Sequence, residues 1–517
     1  MRVPLLLLLL ISLAHSYKIL VYNIRYSHSH SNFLGNVADI LAEAGHDVAS
    51  FIPEVSATVA DGTTKSRVVR IPPTPSVQAE LKNMLPGAAF FELGDWVHVM
   101  MGTTLSVVFE AQCRETLKRM DIIEQLRDEQ FDVYIVESAD MCGMALTQLI
   151  KPKSIIMTGT TALYGAQFDE VGAPQPLSVT ARVFLNPFSM WSRLHNLYAE
   201  VLTRYAYGQS RTKVLRLFRE KFGNDFPDFE QITSHIAYCF INTEPLLDVA
   251  TPTINRVIPI GGLGAKTPKE LDEYWQSVLS LRPRAVLISF GSLIRSQALK
   301  IDMKRSFLKV MRAFPDTTFI WKYEDIEDEF ARNEALTVDN LVMSKWMPQN
   351  DLLNDPAVSA FITHAGMGSV METARRGVPA LLVPIFADQH RNAAGLVHNK
   401  LGKVHSKFEL TDHVQLIASL KELMEDESYR TNAKRVARML AAKPFSSREQ
   451  LIKYTEFAAE FGPSPALRPQ SHDMTFIAYH NLDIIAVASF VFVVSVIVMF
   501  KLLWCVVRKF STKEKRE

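Results

Sequence analysis

Aromatic, glycine-rich and polar residues that could bind a ligand together are concentrated between Trp346 and Asn392, a block of 47 residues. The block begins with W-M-P-Q-N-D-L-L, continues with T-H-A-G-M-G-S-V-M-E-T-A and ends with P-I-F-A-D-Q-H-R-N. These parts offer, in turn, a ring that can stack on a base, a glycine-rich turn that suits a diphosphate, and groups that suit sugar hydroxyls. Their combination predicts a nucleotide-sugar pocket.

The glycine-rich turn is predicted to join a strand to a helix. Residues 360–363 have the pattern of a buried strand, His364 to Gly368 form the turn, and the helix at 369–376 is closed by Gly377. A helix N-terminus presents unpaired backbone N–H groups and the positive end of the helix dipole to an anion. Such turns are common, so an ordinary strand-to-helix connection is the alternative.

The side chains around the turn favour the phosphate-binding interpretation. Trp346 can stack on a uracil and Gln349 can contact the base edge or the ribose, although a tryptophan more often belongs to a core. Glu372, on the helix after the turn, can accept hydrogen bonds from ribose hydroxyls. Asp388 and Gln389 follow another strand and can hold sugar hydroxyls, although an isolated Asp-Gln pair is usually a solvated surface pair.

A histidine base is predicted near the N-terminus of the first helix. Residues 18–24 and 47–52 read as strands on either side of a helix that ends at Gly45, which makes a βαβ unit. His30 lies in the turn after the first strand, at the edge where open α/β sheets bind ligands. A helix N-terminus disfavours the imidazolium and leaves a neutral ring that can accept a proton. His28 fits the same description, and both could be plain turn residues.

A carboxylate partner for the base is expected at the end of a later strand. Glu137 ends the strand F-D-V-Y-I-V and Asp140 follows three residues on. A carboxylate in this place would orient the imidazole and stabilise its charge. A structural salt bridge is the alternative role for either residue.

The block resembles the signature of the UDP-glycosyltransferases, the family that includes the UDP-glucuronosyltransferases. The similarity lies in W-x-P-Q, in H-x-G-x-x-S, in the glutamate eight residues after the histidine and in D-Q-x-x-N, and it extends over essentially the whole chain. The resemblance implies the α/β GT-B fold, in which two Rossmann-like domains face a cleft. It implies a donor site in the C-terminal domain, with Trp346 and Gln349 for uridine, Ser292, His364, Gly366, Gly368 and Ser369 for the diphosphate, Glu372 for ribose, and Asp388 and Gln389 for the sugar.

The resemblance also selects the base, because in this family it precedes the G-H-D/E-V segment at Gly45 by 15 residues, which gives His30. It implies transfer of a glycosyl group from a UDP-sugar to a hydroxyl of a small lipophilic acceptor, with inversion and without a cofactor. Glu137 stands where the similar mammalian enzymes carry Asp, so Asp140 remains the reserve partner. No D-x-D pair that would hold a metal diphosphate stands out, so no metal is predicted.

The identity of the sugar stays open at this stage. UDP-glucuronate is the favoured donor, but the turn departs from the H-G-G-x-N-G pattern of the mammalian enzymes at Ala365, Gly368 and Ser369. UDP-glucose is therefore the alternative donor. A non-catalytic membrane partner of active relatives is the alternative function.

The length and charge of the chain restrict its class. The 517 residues are too many for one core, and 56 basic against 55 acidic residues give no field that would attract a polyanion, which disfavours nucleic-acid binding. The predicted segments are a signal peptide (1–16), an acceptor-binding domain (17–250), a UDP-sugar-binding domain (251–460), a connector (461–482), a transmembrane helix (483–507) and a cytosolic tail (508–517).

The predicted orientation is that of a type I membrane protein of the endoplasmic reticulum. The tail is basic, which the positive-inside rule leaves in the cytosol, and Lys513 and Lys515 have the spacing of a dilysine retrieval signal. Both domains would then be lumenal, with self-association or association with related chains left open. Cys113, Cys142 and Cys239 are too few for a disulfide scaffold, and their pairing is also left open.

Overall fold

The structure is a computed structural model that describes residues 16–82, 87, 89–94, 96–163, 165–175, 188–264 and 267–514, without the side chains of 96–99 and 509–514. These residues form two compact units, which divide between Leu467 and Arg468. The predicted signal peptide, apart from Ser16, and Lys515 of the predicted dilysine signal lie outside the described residues.

The N-terminal half builds a parallel sheet of seven strands. The strands are β1 (Lys18–Tyr22), β2 (Asp47–Pro53), β3 (Arg67–Ile71), β4 (Val133–Glu137), β5 (Ser154–Gly159), β6 (Tyr238–Ile241) and β7 (Val257–Pro259). The helices are α1 (His28–Glu43), α2 (Pro75–Lys82), α3 (Ala89–Glu92), α4 (Trp96–Lys118), α5 (Met120–Asp128), α6 (Met141–Ile150), α7 (Gln167–Val171), α8 (Met190–Phe222) and α9 (Phe229–Ser234). The strand order is β3-β2-β1-β4-β5-β6-β7. Its central strands are buried along almost their whole length, as expected where helices cover both faces.

The C-terminal half builds a second parallel sheet, of six strands. The strands are β8 (Arg284–Ser289), β9 (Thr317–Lys322), β10 (Leu341–Ser344), β11 (Val358–Thr363), β12 (Ala380–Leu382) and β13 (Gly402–Val404), in the order β10-β9-β8-β11-β12-β13. The helices are α10 (Glu273–Ser280), α11 (Ile301–Ala313), α12 (Gln349–Leu352), α13 (Met367–Arg376), α14 (Gln389–His398), α15 (His413–Glu425), α16 (Glu427–Ala441) and α17 (Ser447–Phe461). The two sheets confirm the prediction of two Rossmann-like halves.

The boundary between the halves differs from the one predicted at residue 250. Strand β7 lies beyond that point but pairs with β6 and so completes the first sheet. Helix α17 also returns to the first sheet, where Leu451 and Ala458 pack in one cluster with Ile19 of β1. The sequence pattern identifies a short apolar strand or helix, but it does not show against which sheet the element packs.

Each sheet has a switch point, where the order of strands along the chain reverses. In the first sheet this point lies between the neighbours β1 and β4, and in the second between β8 and β11. The loops that leave the carboxyl ends of these strands diverge, because the following helices pass to opposite faces of the sheet, and they open a crevice that binds ligands in open α/β folds. Of the predicted site residues, His30, Ser292 and His364 follow these strands and Glu137 ends β4, whereas Trp346 and Gln349 follow the edge strand β10.

One cysteine pair joins two helices on the first sheet. Cys113 of α4 and Cys142 of α6 form a disulfide, and Cys239 is a buried free thiol in β6. This resolves the pairing that the sequence left open. Burial raises the pKa of the Cys239 thiol to about 12, so the thiol stays protonated at neutral pH.

The second unit contains α18 (Phe476–Tyr479) and α19 (Leu482–Glu514). Among the described residues, one helix is long and apolar enough to cross a membrane, the 27 residues Leu482–Arg508, with a mean hydropathy of 2.7. Its limits differ by one residue from the predicted 483–507. The helix itself continues into the predicted tail as far as Glu514.

Candidate active site

The predicted base and its predicted partner lie together at the switch point of the first sheet. His30 is in the first turn of α1, which follows β1, and Glu137 is the last residue of the adjacent strand β4. Nδ1 of His30 lies 3.3 Å from Oε2 of Glu137, whose side chain is almost completely buried. A carboxylate in this place holds the Nδ1–H tautomer and leaves the lone pair of Nε2 available.

Two further hydroxyl groups contact the imidazole of His30. Oγ1 of Thr160, directly after β5, lies 2.9 Å from Nδ1. The hydroxyl of Tyr26 lies 2.7 Å from Nε2, and the Tyr26 ring packs between His30 and Phe109 with centroid distances of 4.7 and 5.0 Å. Sequence reasoning missed both residues, although Thr160 follows the strand next to β4 and the strand-end rule that selected Glu137 also applies to it.

The alternatives for the base and for its carboxylate partner, His28 and Asp140, do not form this contact. His28 is exposed at the start of α1. Asp140 is buried, accepts a hydrogen bond from the Tyr22 hydroxyl and caps α6 through the backbone N–H of Cys142 at 3.0 Å. Burial raises the pKa of Asp140 to about 6. Its contacts make it a helix cap and core group, whereas Glu137 is the carboxylate beside His30.

Three of the predicted donor residues meet at α13. Nε2 of Gln349 donates to Oε2 of Glu372 at 2.6 Å and to Oγ of Ser369 at 3.2 Å. Burial raises the pKa of Glu372, although the hydrogen bond from Gln349 acts in the opposite direction. Helix α13 begins after Gly366 and is closed by Gly377 in the left-handed conformation at φ 67°, as the sequence predicted.

His364 lies between two glycine-containing turns. A Cβ atom at Gly366 would lie 2.5 Å from its Nε2, and one at Gly291 would lie 2.7 Å from its Cε1, so the ring fits only because both positions lack a side chain. Burial and then the charge of Lys322 lower the pKa of His364 to about 4, which leaves the ring neutral at physiological pH. Ser292 is exposed in the turn after β8, the strand beside β11.

Trp346 presents an open ring face near this turn. Its side chain is 72% exposed, although a large apolar group of this kind is usually buried in a core. Nζ of Lys322 lies 5.6 Å from the ring centroid and donates to the carbonyl of Gly291 at 2.7 Å. Lys322 therefore joins the tryptophan to the turn that carries Ser292. No sequence pattern marks this lysine, because a lysine at the end of a strand is ordinary.

Asp388 is tied to the glycine-rich turn through Asn392. The amide nitrogen of Asn392 donates to Oδ2 of Asp388 at 2.7 Å and to the carbonyl of Ala365 at 3.0 Å. Burial raises the pKa of Asp388, and the hydrogen bond from Asn392 acts in the opposite direction.

Gln389 differs in part from its predicted role. Its Oε1 accepts from the backbone N–H groups of Ile385 and Phe386 at 2.8 and 3.1 Å. The side-chain carbonyl is therefore used within the protein, and the amide nitrogen is the part that can serve a sugar hydroxyl. Within the described ranges, no group of three or more His, Cys, Asp or Glu side chains could hold a metal ion.

Comparison with known protein families identifies the family of this chain. Residues 17–517 match the family described as "UDP-glucoronosyl and UDP-glucosyl transferase". The chain belongs to this family. It is therefore a glycosyltransferase, as the sequence motifs predicted. The match confirms the resemblance to the UDP-glycosyltransferases.

Similar proteins of this glycosyltransferase family occur in nematodes and in humans. "Putative UDP-glucuronosyltransferase ugt-47" of Caenorhabditis briggsae is 29% identical over 507 residues, which cover 96% of this chain and 94% of that protein. UDP-glucuronosyltransferase 1A9 of Homo sapiens is 26% identical over 497 residues, which cover 93% of this chain and 89% of that protein.

The same fold occurs in solved structures of glycosyltransferases. The calicheamicin glycosyltransferase CalG4 has a TM-score of 0.54 and 16% identity, with 87% of this chain and 100% of that chain covered. The glycosyltransferase of kitacinnamycin has a TM-score of 0.55 and 15% identity, with 86% and 98% covered. These similarities confirm the GT-B architecture of this glycosyltransferase.

Proposed function

We propose that this glycosyltransferase moves the sugar of UDP-glucuronate to a hydroxyl group of small lipophilic acceptors, with inversion at the anomeric carbon and His30 as the general base. The observation that carries the proposal is the contact of His30 Nδ1 with Glu137 at 3.3 Å, at the carboxyl ends of adjacent strands. A base needs this kind of support, because the imidazolium formed during the reaction must be stabilised where it forms.

The reaction is a direct displacement. Nε2 of His30 takes the proton of the acceptor hydroxyl while the acceptor oxygen forms a bond to the anomeric carbon of the donor. The bond from that carbon to the diphosphate oxygen breaks, and its electron pair leaves with UDP. Attack from the face opposite UDP converts an α-linked donor into a β-glycoside.

The leaving diphosphate is stabilised by the start of α13. The backbone N–H groups after Gly366 and the positive end of the helix dipole face the developing charge, and such preorganised donors contribute about 3–4 kcal/mol in comparable sites. Ser292 and Ser369 add hydroxyl donors from neighbouring elements. The charge is met by protein groups, so we expect transfer to continue in the presence of a chelator.

The donor contacts are assigned to three groups. Trp346 stacks on uracil, Gln349 and Glu372 hold the ribose, and Asp388 with the amide nitrogen of Gln389 holds the transferred sugar. The exposed ring of Trp346 and the hydrogen bond between Gln349 and Glu372 support this assignment.

The protein is proposed to act as a single-pass type I protein of the endoplasmic reticulum membrane, which the apolar Leu482–Arg508 helix supports.

UDP-glucose is the second candidate donor. Gly368 stands where the mammalian turn pattern has Asn, and a Cβ atom there would meet no atom within 4 Å. The site therefore lacks an amide at a place with room for one. The two donors differ only in the group at C6, so a few contacts to this group would determine which donor is preferred.

The test is a product assay on membranes with labelled UDP-glucuronate, UDP-glucose, UDP-galactose and UDP-xylose against phenolic and steroid acceptors. We expect transfer from UDP-glucuronate, and a loss of about 10²–10⁴-fold in His30→Ala with UDP affinity unchanged. His28→Ala, which removes the exposed neighbour, is the matched control and should keep activity. The absence of transfer from every donor would overturn the proposal.

A further inference from the structure

Helix α3 of the N-terminal half packs in the core of the second sheet. Phe90 and Phe91 are buried in one cluster with Phe290 of the C-terminal half. The Phe91 ring meets Phe290 edge-on at a centroid distance of 5.9 Å, and the Phe90 ring lies 5.0 Å from the ring of Phe386. A helix of four residues therefore contacts two loops that are far from it in the sequence.

Both of these loops carry proposed donor contacts. Phe290 stands two residues before Ser292, which is assigned to the diphosphate. Phe386 stands two residues before Asp388, which is assigned to the sugar. Protein interiors are close-packed, so a shift of a buried ring moves the backbone that carries it. The packing of α3 therefore constrains the backbone of both loops.

Lys407 joins α3 to the second loop. Its side chain is buried, and Nζ donates to the carbonyls of Phe90 and Leu93 at 2.6 and 2.8 Å and to the carbonyl of Ile385 at 2.8 Å. A lysine amine offers three N–H donors, which suits a cluster of carbonyl groups. Burial of such a group is costly unless it is hydrogen-bonded, so these contacts favour the state in which α3 and the loop stay together.

The same loop is held on its other side by Gln389. Oε1 of Gln389 accepts from the backbone N–H groups of Ile385 and Phe386 at 2.8 and 3.1 Å. Ile385 is thus bound through its N–H by Gln389 and through its carbonyl by Lys407. A shift of that carbonyl would also displace the side chain of Gln389, whose amide nitrogen is proposed to serve the sugar.

Helix α4, which follows α3 in the chain, spans both cores. Met101 near its start lies in the cluster that contains α3, whereas Phe109 and Cys113 lie in the core of the first sheet. Phe109 contacts the ring of Tyr26 at 5.0 Å, and Cys113 is joined to α6 by the disulfide. Helices α3 and α4 therefore connect the support of the donor loops to the surroundings of His30.

We propose that Phe90, Phe91 and Lys407, called here the α3 clamp, position the loop of Asp388 and Gln389 for the transferred sugar. The inference rests on the proposed function, which assigns this loop to the sugar. The members of the clamp are positioning residues, since they act through the backbone of the loop. An element of the N-terminal half thus determines how well the C-terminal half holds the sugar of its donor.

The first experiment measures the loop itself, in the full chain and without donor. Hydrogen exchange at the backbone N–H groups of Ile385 and Phe386 is compared between the parent and Lys407→Met, which removes the donors of a long side chain. We expect exchange to become about 10-fold faster, because the loop loses one of its attachments. The matched control is Lys304→Met, since Lys304 is also buried in the C-terminal half and donates to the Tyr323 hydroxyl at 2.6 Å. Exchange that is unchanged in Lys407→Met, or equally fast in the control, would overturn the inference.

The second experiment measures how the sugar is held. Isothermal titration gives the Kd values of UDP-glucuronate, UDP-glucose and UDP. In Lys407→Met we expect the ratio of the Kd for a UDP-sugar to the Kd for UDP to rise about 10-fold, as for the loss of one good contact. A loss of stability alone lowers the binding-competent fraction for every ligand equally, so it leaves this ratio constant. A constant ratio would therefore count against the clamp.

A second variant tests the clamp without loss of the lysine. Phe90→Leu keeps an apolar side chain and removes the ring contact with Phe386, so the same ratio should rise by about 2–10-fold. It also serves if Lys407→Met does not fold. No change of the ratio in this variant would remove α3 from the support of the sugar.

Failure of the proposed function would give a different result. A parent protein that transfers no sugar and binds UDP-sugars no more tightly than UDP contradicts the assignment of the loop to the sugar. The exchange experiment needs no donor, and faster exchange in Lys407→Met but not in Lys304→Met would still support the clamp as the support of this loop.

Discussion

The hydroxyl of Tyr26 lies 2.7 Å from Nε2 of His30, the ring nitrogen opposite the one that contacts Glu137. This is the position from which an acceptor hydroxyl would donate its proton to the proposed base. In the proposed reaction, the acceptor hydroxyl binds where this phenol of the protein lies. In that reaction the acceptor replaces the hydrogen bond between Tyr26 and His30.

Removal of that hydroxyl should therefore favour the acceptor. In Tyr26→Phe the ring contacts with His30 and Phe109 are kept, while the competing hydrogen bond is lost. A hydrogen bond of about 0.5–1.5 kcal/mol corresponds to a decrease of about 2–10-fold in the KM for the acceptor, with kcat nearly constant. Initial-rate kinetics measure both constants. A large decrease in kcat would instead make Tyr26 part of the proton path.

Substitution of Glu137 should affect catalysis, whereas substitution of Asp140 should affect stability. Glu137→Gln removes the charge beside His30, so kcat should fall by about 10² or more while the melting temperature changes little. Asp140→Asn weakens the cap of α6 and the bond from Tyr22, so it should lower the free energy of unfolding by about 1–2 kcal/mol and leave kcat within a few-fold. Kinetics and thermal unfolding of both variants test the pair. The reverse pattern would return Asp140 to the catalytic role.

Glu372 should contribute to the affinity for UDP. Loss of a charged acceptor of ribose hydroxyls in Glu372→Gln should raise the Kd for UDP by about 10–100-fold. Asp351→Asn is the control, because Asp351 is a carboxylate on the nearby α12 that accepts from the backbone N–H of Lys269 at 3.0 Å. Isothermal titration with UDP alone gives both values. Equal affinities of the two variants would contradict the ribose assignment.

An amide at position 368 should change the preference between donors. Gly368→Asn is expected to fold, since a Cβ atom there meets no atom within 4 Å. It should raise the ratio of kcat/KM for UDP-glucuronate over UDP-glucose by about 10-fold, the effect of one added polar contact. Gly368→Ala separates the loss of glycine from the gain of the amide. An unchanged ratio in the Asn variant would remove position 368 from sugar selection.

Glu170 should make the stability of the protein depend on pH. Burial raises the pKa of its carboxyl from 4.5 to about 7, while the charge of Arg211 acts in the opposite direction. The folded state then binds the proton more tightly than the unfolded state. The stabilisation is complete below about pH 4.5 and is lost as the pH rises through 7.

The substitution that tests this is Glu170→Gln, which keeps an acceptor for the Tyr207 hydroxyl. Relative to the parent protein, its free energy of unfolding should rise by about 1–3 kcal/mol between pH 5 and 8. Thermal unfolding across this range measures the difference. Parallel pH profiles of the two proteins would show that Glu170 is ionised in the folded state.

Much of the fold could be predicted from the sequence, because its signals are local. The apolar runs of β1 and β4, the closing glycine of α13 and the long apolar helix near the C-terminus are each visible within a short window. Whether α17 and β7 belong to the first or the second sheet depends on contacts between distant segments, so the sequence did not show that both pack with the first sheet beyond the predicted boundary at residue 250.

Part of the candidate site could likewise be predicted from the sequence, and part of it could not. The types of Trp346, His364, Glu372 and Asp388 and their spacing predicted a nucleotide-sugar pocket, and their resemblance to the UDP-glycosyltransferase signature indicated the family. The neighbours of His30 are not found in one block of sequence. Tyr26, Glu137 and Thr160 come from separate turns, and only the parallel register of β1, β4 and β5 brings them to one imidazole.

The sequence by itself thus determined the two Rossmann-like halves, the donor block and the family, because periodicity and motif spacing are properties of neighbouring residues. The tertiary structure decided which carboxylate lies beside His30, in which core α3 packs and where the first sheet ends. These features depend on which strands pair and on which face of a helix meets the core. Both are set by contacts between residues far apart in the chain, which no local pattern records.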